Sequence, residues 1–426
     1  MSDSSGPTPP AERILSLDVL RGFALLGILV INVQLFSMPE LTLLNPTIYG
    51  DLTGANYWAW LLSHVLFEGK FITLFTFLFG AGVVLFTRGD KAGRSARSLY
   101  ARRSAWLVVF GLGHAYLLWY GDILFSYGVC AFVVVALRDR SVRSLLVLGA
   151  LLYAVPSAIE ILSGLSSGAV AIGDSWRPAA SVVRAEIETY RGGWLAQMDH
   201  RVPSSFQRQT AGLLGYTAWR VSGAMLFGMA LFKSGVLTND RDPRFYTRLI
   251  AVGGAVGIGT VVAGVAYIQA ADWSAGAALF WRQFNYWGAL PLAAAYVGVI
   301  ARYCRWRPSG IETRVLSAVG RTAFSNYLLQ TLLATSVFYG HGLGLFGSVS
   351  RVEALGVAAA IWAVQLPLSV LWLRYFRYGP MEWLWRVAPN GCAGRRGVSG
   401  MGVHGSDPRR GRERTTDPTS GVGRYV

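Results

Sequence analysis

Charge is scarce in this chain. Only 15% of its 426 residues are Asp, Glu, Lys or Arg, while 53% are hydrophobic and the mean hydropathy is +0.40. A soluble chain of this length cannot hide that much apolar surface in one core, so the bilayer is the solvent to consider. Cysteine is scarcer still. Cys130, Cys304 and Cys392 lie far apart and supply neither a disulfide framework nor a metal motif. Acidic residues are outnumbered, 23 against 39 Lys and Arg, for a formal charge of +16. Such an excess raises nucleic acid as a partner, and its distribution along the chain decides the matter.

What is present is long apolar runs. A spanning helix needs about 20 mostly apolar residues, and about ten stretches approach or exceed this: Leu17 to Phe36, Phe71 to Thr87, Ser104 to Tyr120, Ile123 to Leu137, Leu145 to Leu165, Gly212 to Phe232, Leu249 to Ala270, Ala278 to Ala301, Ala318 to Tyr339 and Ala354 to Leu373. The third and fourth are nearly continuous and are split at Gly121 and Asp122, where a tight polar turn restores alternation. The first carries Asp18 and Arg21 near its start and no small-residue cleavage site follows it, so it is read as a retained helix.

The basic residues fall in alternate loops: Arg88 to Arg103, Arg138 to Arg143, Lys233 to Arg248 and Arg302 to Arg314. Met38 to Tyr57 and Gln269 to Phe280 carry no Lys or Arg. This positive-inside pattern places both termini in the cytoplasm and removes nucleic acid as the explanation of the charge. The expected fold is all-α, a polytopic membrane helical bundle of about ten transmembrane helices. Residues 13–386 form the bundle. The segment from Ser166 to Ala211 holds five Arg with Asp174, Glu186, Glu188 and Asp199; it is expected outside, with an amphipathic helix near Val183 to Met198 on the membrane surface. Residues 1–12, rich in Ser and Pro, and the Gly- and Arg-rich tail 387–426 are expected to be flexible.

Two short segments resemble each other, "FLFGAGVVLFTRG" from Phe77 and "MLFGMALFKSG" from Met225. They suggest either an internal repeat or coincidence in a Leu-, Phe- and Gly-rich chain.

Ionisable groups inside a span cost about 2.5–3.5 kcal/mol on insertion scales, so they face the protein interior and find partners. Asp18 and Arg21 are three apart on one helical face and form a structural pair; Asn32 lies near the other end of that helix. "GHAYLLWYGD" sets His114 eight residues before Asp122, and a histidine oriented by a carboxylate has the make-up of a general base. The alternative is a hydrogen-bonded core histidine and a helix cap. "NYWAWLLSHVLFEGKF" sets His64 and Glu68 one helical turn apart, beside Lys70. Their shared face points either to water or into a site opening outward, and water is the expected surrounding of His64. Thr322, Asn326 and Gln330 recur every four residues and lay a polar seam along one helix, with Arg321 at its inner end to hold an anion or headgroup.

Five segments in order, "LDVLRGFALLGILVIN", "GKFITLFTFLFGAG", "GHAYLLWYGDILFSYG", "GRTAFSNYLLQTLLATSVFYGHGLGLFG" and "LRYFRYGPMEWLWR", resemble the YeiB-like bacterial inner-membrane proteins. The resemblance runs from Ile14 to Arg386 and implies a multi-pass protein of the bacterial inner membrane. The "LDVLRG" opening is also similar to that of transmembrane acyltransferases of the heparan-type glucosaminide acetyltransferase group. This second likeness implies acyl-coenzyme A as co-substrate, with no tightly bound cofactor or metal, and a lipid- or saccharide-type acceptor. In those enzymes a catalytic histidine lies on the outer side just before the second helix. His64 occupies the comparable region, although its spacing to "GKF" differs; His114, with Asp122, belongs to the motif shared with the YeiB-like proteins and ranks first.

On this reading Arg21 and Arg321 attract coenzyme A phosphates, His114 is the base, and Asn32, His64, Tyr120, Asn326 and Gln330 contact substrate. The alternative is a transporter or permeation protein for a small solute, against which Pro156, Pro291 and Pro367 do not form a matched pair of broken helices.

Overall fold

A computed structural model describes residues 14–87 and 94–387 of the chain, and among these it contains helices and no strand. The segments expected to be flexible, residues 1–12 and the tail after Val387, lie outside the described residues. The helices are α1 (Leu15–Ser37), α2 (Gly54–Leu62), α3 (Lys70–Phe86), α4 (Arg94–Gly113), α5 (Leu124–Val134), α6 (Val142–Trp176), α7 (Ala180–Arg191), α8 (Met198–Gln209), α9 (Ala218–Lys233), α10 (Pro243–Ala270), α11 (Ala275–Trp306), α12 (Ile311–Arg321), α13 (Ala323–Phe338), α14 (Arg351–Tyr375) and α15 (Pro380–Val387).

Among the described residues, six stretches are long and apolar enough to cross a membrane: α1, α2 with α3, the first 21 residues of α6, α10, α11 and α14. The protein is therefore a multi-pass membrane protein. The other four expected stretches miss that measure for separate reasons. Arginines crowd the first half of α4, α5 has 11 residues, and α9 and α13 have 16 each. Pro156, Pro291 and Pro367 sit inside α6, α11 and α14, a position that neighbouring helices make tolerable.

The bundle has two chemically different ends. At one, the starts of α1, α4, α6, α10 and α12 meet the ends of α3, α5, α9 and α11, joined by bonds such as Ser16 Oγ to the Leu237 carbonyl and Lys233 Nζ to that of Arg140. Arg103 lies over the rings of Phe86 and Trp385 there. This is the arginine-rich end. At the other, loops knit together. The Arg351 guanidinium donates to the carbonyls of Pro46, Tyr49 and Asp51, and Asn45 Nδ2 donates to that of Trp176.

The helix expected near Val183 to Met198 is helical only to Arg191, as part of α7, because Gly192 and Gly193 end the run; α8 begins at Met198. The stretch Ala318 to Tyr339 is likewise broken at Thr322.

The two similar segments face one another. A Cβ on Gly80 of α3 would lie 2.0 Å from the Met225 carbonyl oxygen, and a Cβ on Gly228 of α9 would lie 2.0 Å from that of Phe77. The contact is reciprocal, so each glycine is where it is because the partner backbone passes through the space a side chain would fill.

Candidate functional site

Two histidines are paired with carboxylates inside the bundle, and each sits on a π-helical turn, a single widened turn often found at functional positions. His64 lies on the turn Ser63–Phe67 after α2, and His114 opens the turn His114–Leu118 after α4.

At the first pair, His64 Nδ1 is 2.7 Å from Glu68 Oε2. An ionised carboxylate can only accept, so the hydrogen of this bond sits on Nδ1, and in the neutral imidazole Nε2 carries the lone pair. The imidazole is stacked between two indoles, with centroids 5.6 Å from Trp60 and 5.3 Å from Trp281 and planes 19° apart in both cases. The second Glu68 oxygen accepts from Asn285 Nδ2 at 3.1 Å, Lys70 donates to the Asn285 side-chain oxygen, and Lys70 Nζ donates to the His64 carbonyl at 2.6 Å. These bonds close a ring of four residues. It works because Gly69, at φ +79, turns the chain between Glu68 and Lys70, a left-handed conformation cheap only for glycine. Lys70 is fully buried and is held by its bonds to His64 and Asn285.

One polar atom of this ring is left over. His64 Nε2 is buried without a hydrogen-bond partner, as is Thr42 Oγ1. Both residues line a narrow cleft with Ile31, Gln34, Leu43, Trp60, Ser63 and Glu68, with room for about one water. Water is the surrounding expected of His64, but the residue is buried, 3% exposed. The i,i+4 spacing to Glu68 describes a face, and this face turns inward because α11 brings Trp281 and Asn285 against it.

At the second pair, His114 Nδ1 is 2.9 Å from Asp122 Oδ1. Gly121 and Asp122 form the turn between α4 and α5 that brings the two together. Asp122 Oδ2 also accepts from the Phe125 backbone N–H at 2.8 Å and so caps α5. His114 Nε2 is taken as well, 3.0 Å from Thr331 Oγ1 on α13. No ring nitrogen is left for a substrate in this arrangement. The second pair ties the α4–α5 hairpin to α13.

The remaining candidates are spread out. Asp18 and Arg21 form an ion pair at 2.9 Å at the arginine-rich end, where α1 and α12 touch through Gly22 and Gly320; Arg321 follows that contact. Asn326 Nδ2 donates to Thr322 and Ser369, and Gln330 Nε2 donates to Gln365, whose own amide donates to the Asn326 carbonyl. That seam fastens α13 to α14. Tyr120 is buried in an aromatic cluster with Trp119, Tyr190 and Phe338. Asn32 is half-buried on α1 and does not line the His64 cleft.

Thr42, Trp281 and Asn285 complete the first pair and were not singled out from the sequence. The one signal for the last two was a polar residue within an aromatic run, "FWRQFNYW".

Comparison with known proteins adds kinship. Residues 231–391 match the family described as "Protein of unknown function (DUF418)". The chain is 35% identical over 389 residues to "Uncharacterized protein YeiB" of Escherichia coli strain K12, covering 90% of this chain and 98% of that protein. It is 34% identical over 399 residues to "Uncharacterized protein YxaH" of Bacillus subtilis strain 168, covering 90% and 95% respectively.

Proposed function

Since this chain belongs to the YeiB-like family, and its membrane bundle holds one buried histidine with a free nitrogen, we propose that it is a membrane acyltransferase in which His64 is the general base. The donor is acyl-coenzyme A at the arginine-rich end, and the acceptor is a hydroxyl or amine on a lipid or saccharide reaching the cleft from the loop end. The observation that carries this reading is His64 itself. Its Nδ1–H is bonded to Glu68, its ring is clamped by two indoles, its Nε2 has no protein partner, and the residue lines a cleft.

The chemistry follows from that geometry. Nε2 takes the proton of the acceptor O–H or N–H as the acceptor atom attacks the thioester carbonyl. The carbonyl π pair moves to oxygen, then returns as the C–S bond breaks, and the coenzyme A thiolate leaves with the proton returned by the imidazolium. Glu68 stabilises the imidazolium while it exists, as the orienting carboxylate of a triad does. Arg21 and Arg321 are the proposed cations for the donor phosphates. The similarity of "LDVLRG" to transmembrane acyltransferases supports the reaction class.

The test is transfer of a labelled acetyl group from acetyl-coenzyme A by the purified protein in lipid discs, with a lipid and saccharide acceptor panel. Turnover that is lost in His64→Ala and kept in part in His114→Ala supports the proposal. Full turnover in His64→Ala removes His64 from the chemistry. If the folded protein shows neither turnover nor binding across several acyl lengths, the acyl-transfer reading is abandoned and solute transport is assayed.

A further inference from the structure

The His64 cleft holds about one water, yet any acceptor is larger, so a wall has to move for His64 to meet a substrate. The walls are not equivalent. Ile31 and Gln34 belong to α1, and Trp60, Ser63, His64 and Glu68 to the α2–α3 stretch, both long enough to span and both packed in the bundle. Thr42 and Leu43 belong to neither. They lie on a single 3-10 turn, Glu40–Leu43, between α1 and α2, whose internal bonds are local: Thr42 N–H to the Pro39 carbonyl and Leu44 N–H to that of Leu41. A short 3-10 turn is a weakly self-sustaining element.

Two tethers hold this turn from outside. The Glu40 carboxylate pairs with the Arg208 guanidinium of α8, and the Glu40 backbone N–H donates to Glu186 Oε1 of α7 at 2.9 Å. Beyond the turn, Asn45 anchors to the Trp176 carbonyl and bonds Thr47. Arg208 and Glu40 are 43% and 31% exposed, and an ion pair with that much access to water is weak. It is the kind of contact that opens and recloses.

We propose that the turn Glu40–Leu43 is a lid over His64, strapped shut by α7 and α8, and that access to the free imidazole nitrogen from the loop end depends on releasing the Glu40–Arg208 pair. The identity of what enters rests on the acyl-transfer reading; the gating does not. Helices α7 and α8 thereby gain a role. They are the latch of a site to which they contribute no lining residue.

Accessibility tests this without any turnover. Ser63 lines the cleft and is 2% exposed, so Ser63→Cys places a thiol beside His64; Cys392→Ser removes one native thiol, and Cys130 and Cys304 are buried. In the full-length protein in lipid discs, a membrane-impermeant maleimide is expected to label Ser63→Cys slowly. Adding Arg208→Glu should speed labelling by about two- to fivefold, the population shift one weak ion pair can sustain. Adding Glu40→Arg to Arg208→Glu rebuilds the pair with its signs exchanged and should restore slow labelling, which a merely misfolded variant would not do. Labelling that is unchanged by Arg208→Glu overturns the lid, and so does faster labelling that the exchanged pair fails to reverse. If labelling responds as expected while acyl transfer is never seen, the lid stands and the acyl-transfer reading falls.

Discussion

The two histidine–carboxylate pairs share a geometry and differ in what meets the far ring nitrogen. Both histidines are buried, both lie on π-helical turns, and their carboxylates are 2.7 and 2.9 Å away. At His114 the far nitrogen is bonded to Thr331 and the spare carboxylate oxygen caps α5. At His64 the far nitrogen has no protein partner and the residue lines a cleft, while the spare carboxylate oxygen and a buried lysine are tied into a closed ring. Orientation by a carboxylate is thus common to a joint and a site. What separates them is a ring nitrogen without a protein partner, a group costly to bury unless water or a ligand meets it.

The sharpest way to break the comparison is to remove each imidazole in turn. His64→Ala is expected to cut turnover by roughly 10²- to 10⁴-fold, the usual worth of a positioned base, with the bundle still folded. Its measurement is the single-turnover rate beside a thermal melt in lipid discs. His114→Ala should do the reverse, leaving much of the rate and lowering stability by about 3 kcal/mol, because Asp122 loses its partner inside the bundle. If His114→Ala melts like the parent and abolishes turnover, the assignment of joint and site is inverted.

A smaller effect sharpens the same contrast. Thr331→Val removes the one bond that occupies His114 Nε2, and is expected to cost about 1 kcal/mol of stability without changing turnover. A loss of turnover without loss of stability would make Thr331 part of a proton path. Glu68→Gln should keep the ring closed in outline while weakening the imidazolium, so its loss belongs in the maximal rate and not in acceptor affinity.

Much of this contrast was legible in the sequence, and its decisive part was not. The glycine after Tyr120 and the carboxylate after it announce a turn that lets His114 and Asp122 meet, and both partners lie within eight residues. The α4–α5 hairpin could therefore be drawn from the chain. His64 and Glu68 were equally visible as a pair, but a one-turn spacing reads the same on a wet face and a buried one. Burial comes from Trp281 and Asn285, more than 200 residues later, and single-sequence periodicity has no term for it. The short α5, α9 and α13 show the same limit from the other side: apolar stretches could be marked, but where each helix ends is set by the turns and neighbours that receive it. The similar segments around Gly80 and Gly228 were visible as strings. That they are similar at their contact point is a fact of packing.

The smallest expected effect concerns the latch, and its sign follows from Glu186. Burial, with the Glu40 carboxylate adding to it, pushes the Glu186 carboxyl up to about 7, while the bond from the Glu40 backbone N–H works in the opposite direction. A carboxyl raised above its ordinary value of about 4.3 binds more protons folded than unfolded, so the stability of this contact declines as pH rises toward 7 and levels off above it. Near the lid the other groups keep one charge state above pH 7, and below it His200 is the other group that takes up a proton. Arg201 and Arg208 stay charged, Tyr120, Tyr190 and Tyr339 are raised further above 10 by burial, and His200 is pushed below its ordinary value and is neutral above pH 7. Below pH 7, neutral Glu186 leaves the Glu40 carboxylate to Arg208 alone. Above it, the ionised Glu186 faces the Glu40 carboxylate, and the like charges loosen the strap. Ser63→Cys labelling, divided by that of a free thiol to remove thiol ionisation, should therefore rise about two- to threefold from pH 6 to pH 8, the scale of a weak surface interaction. Glu186→Gln should flatten the rise at the low-pH value. A rise that survives in Glu186→Gln assigns the titration elsewhere and leaves the Glu40–Arg208 pair as the sole latch.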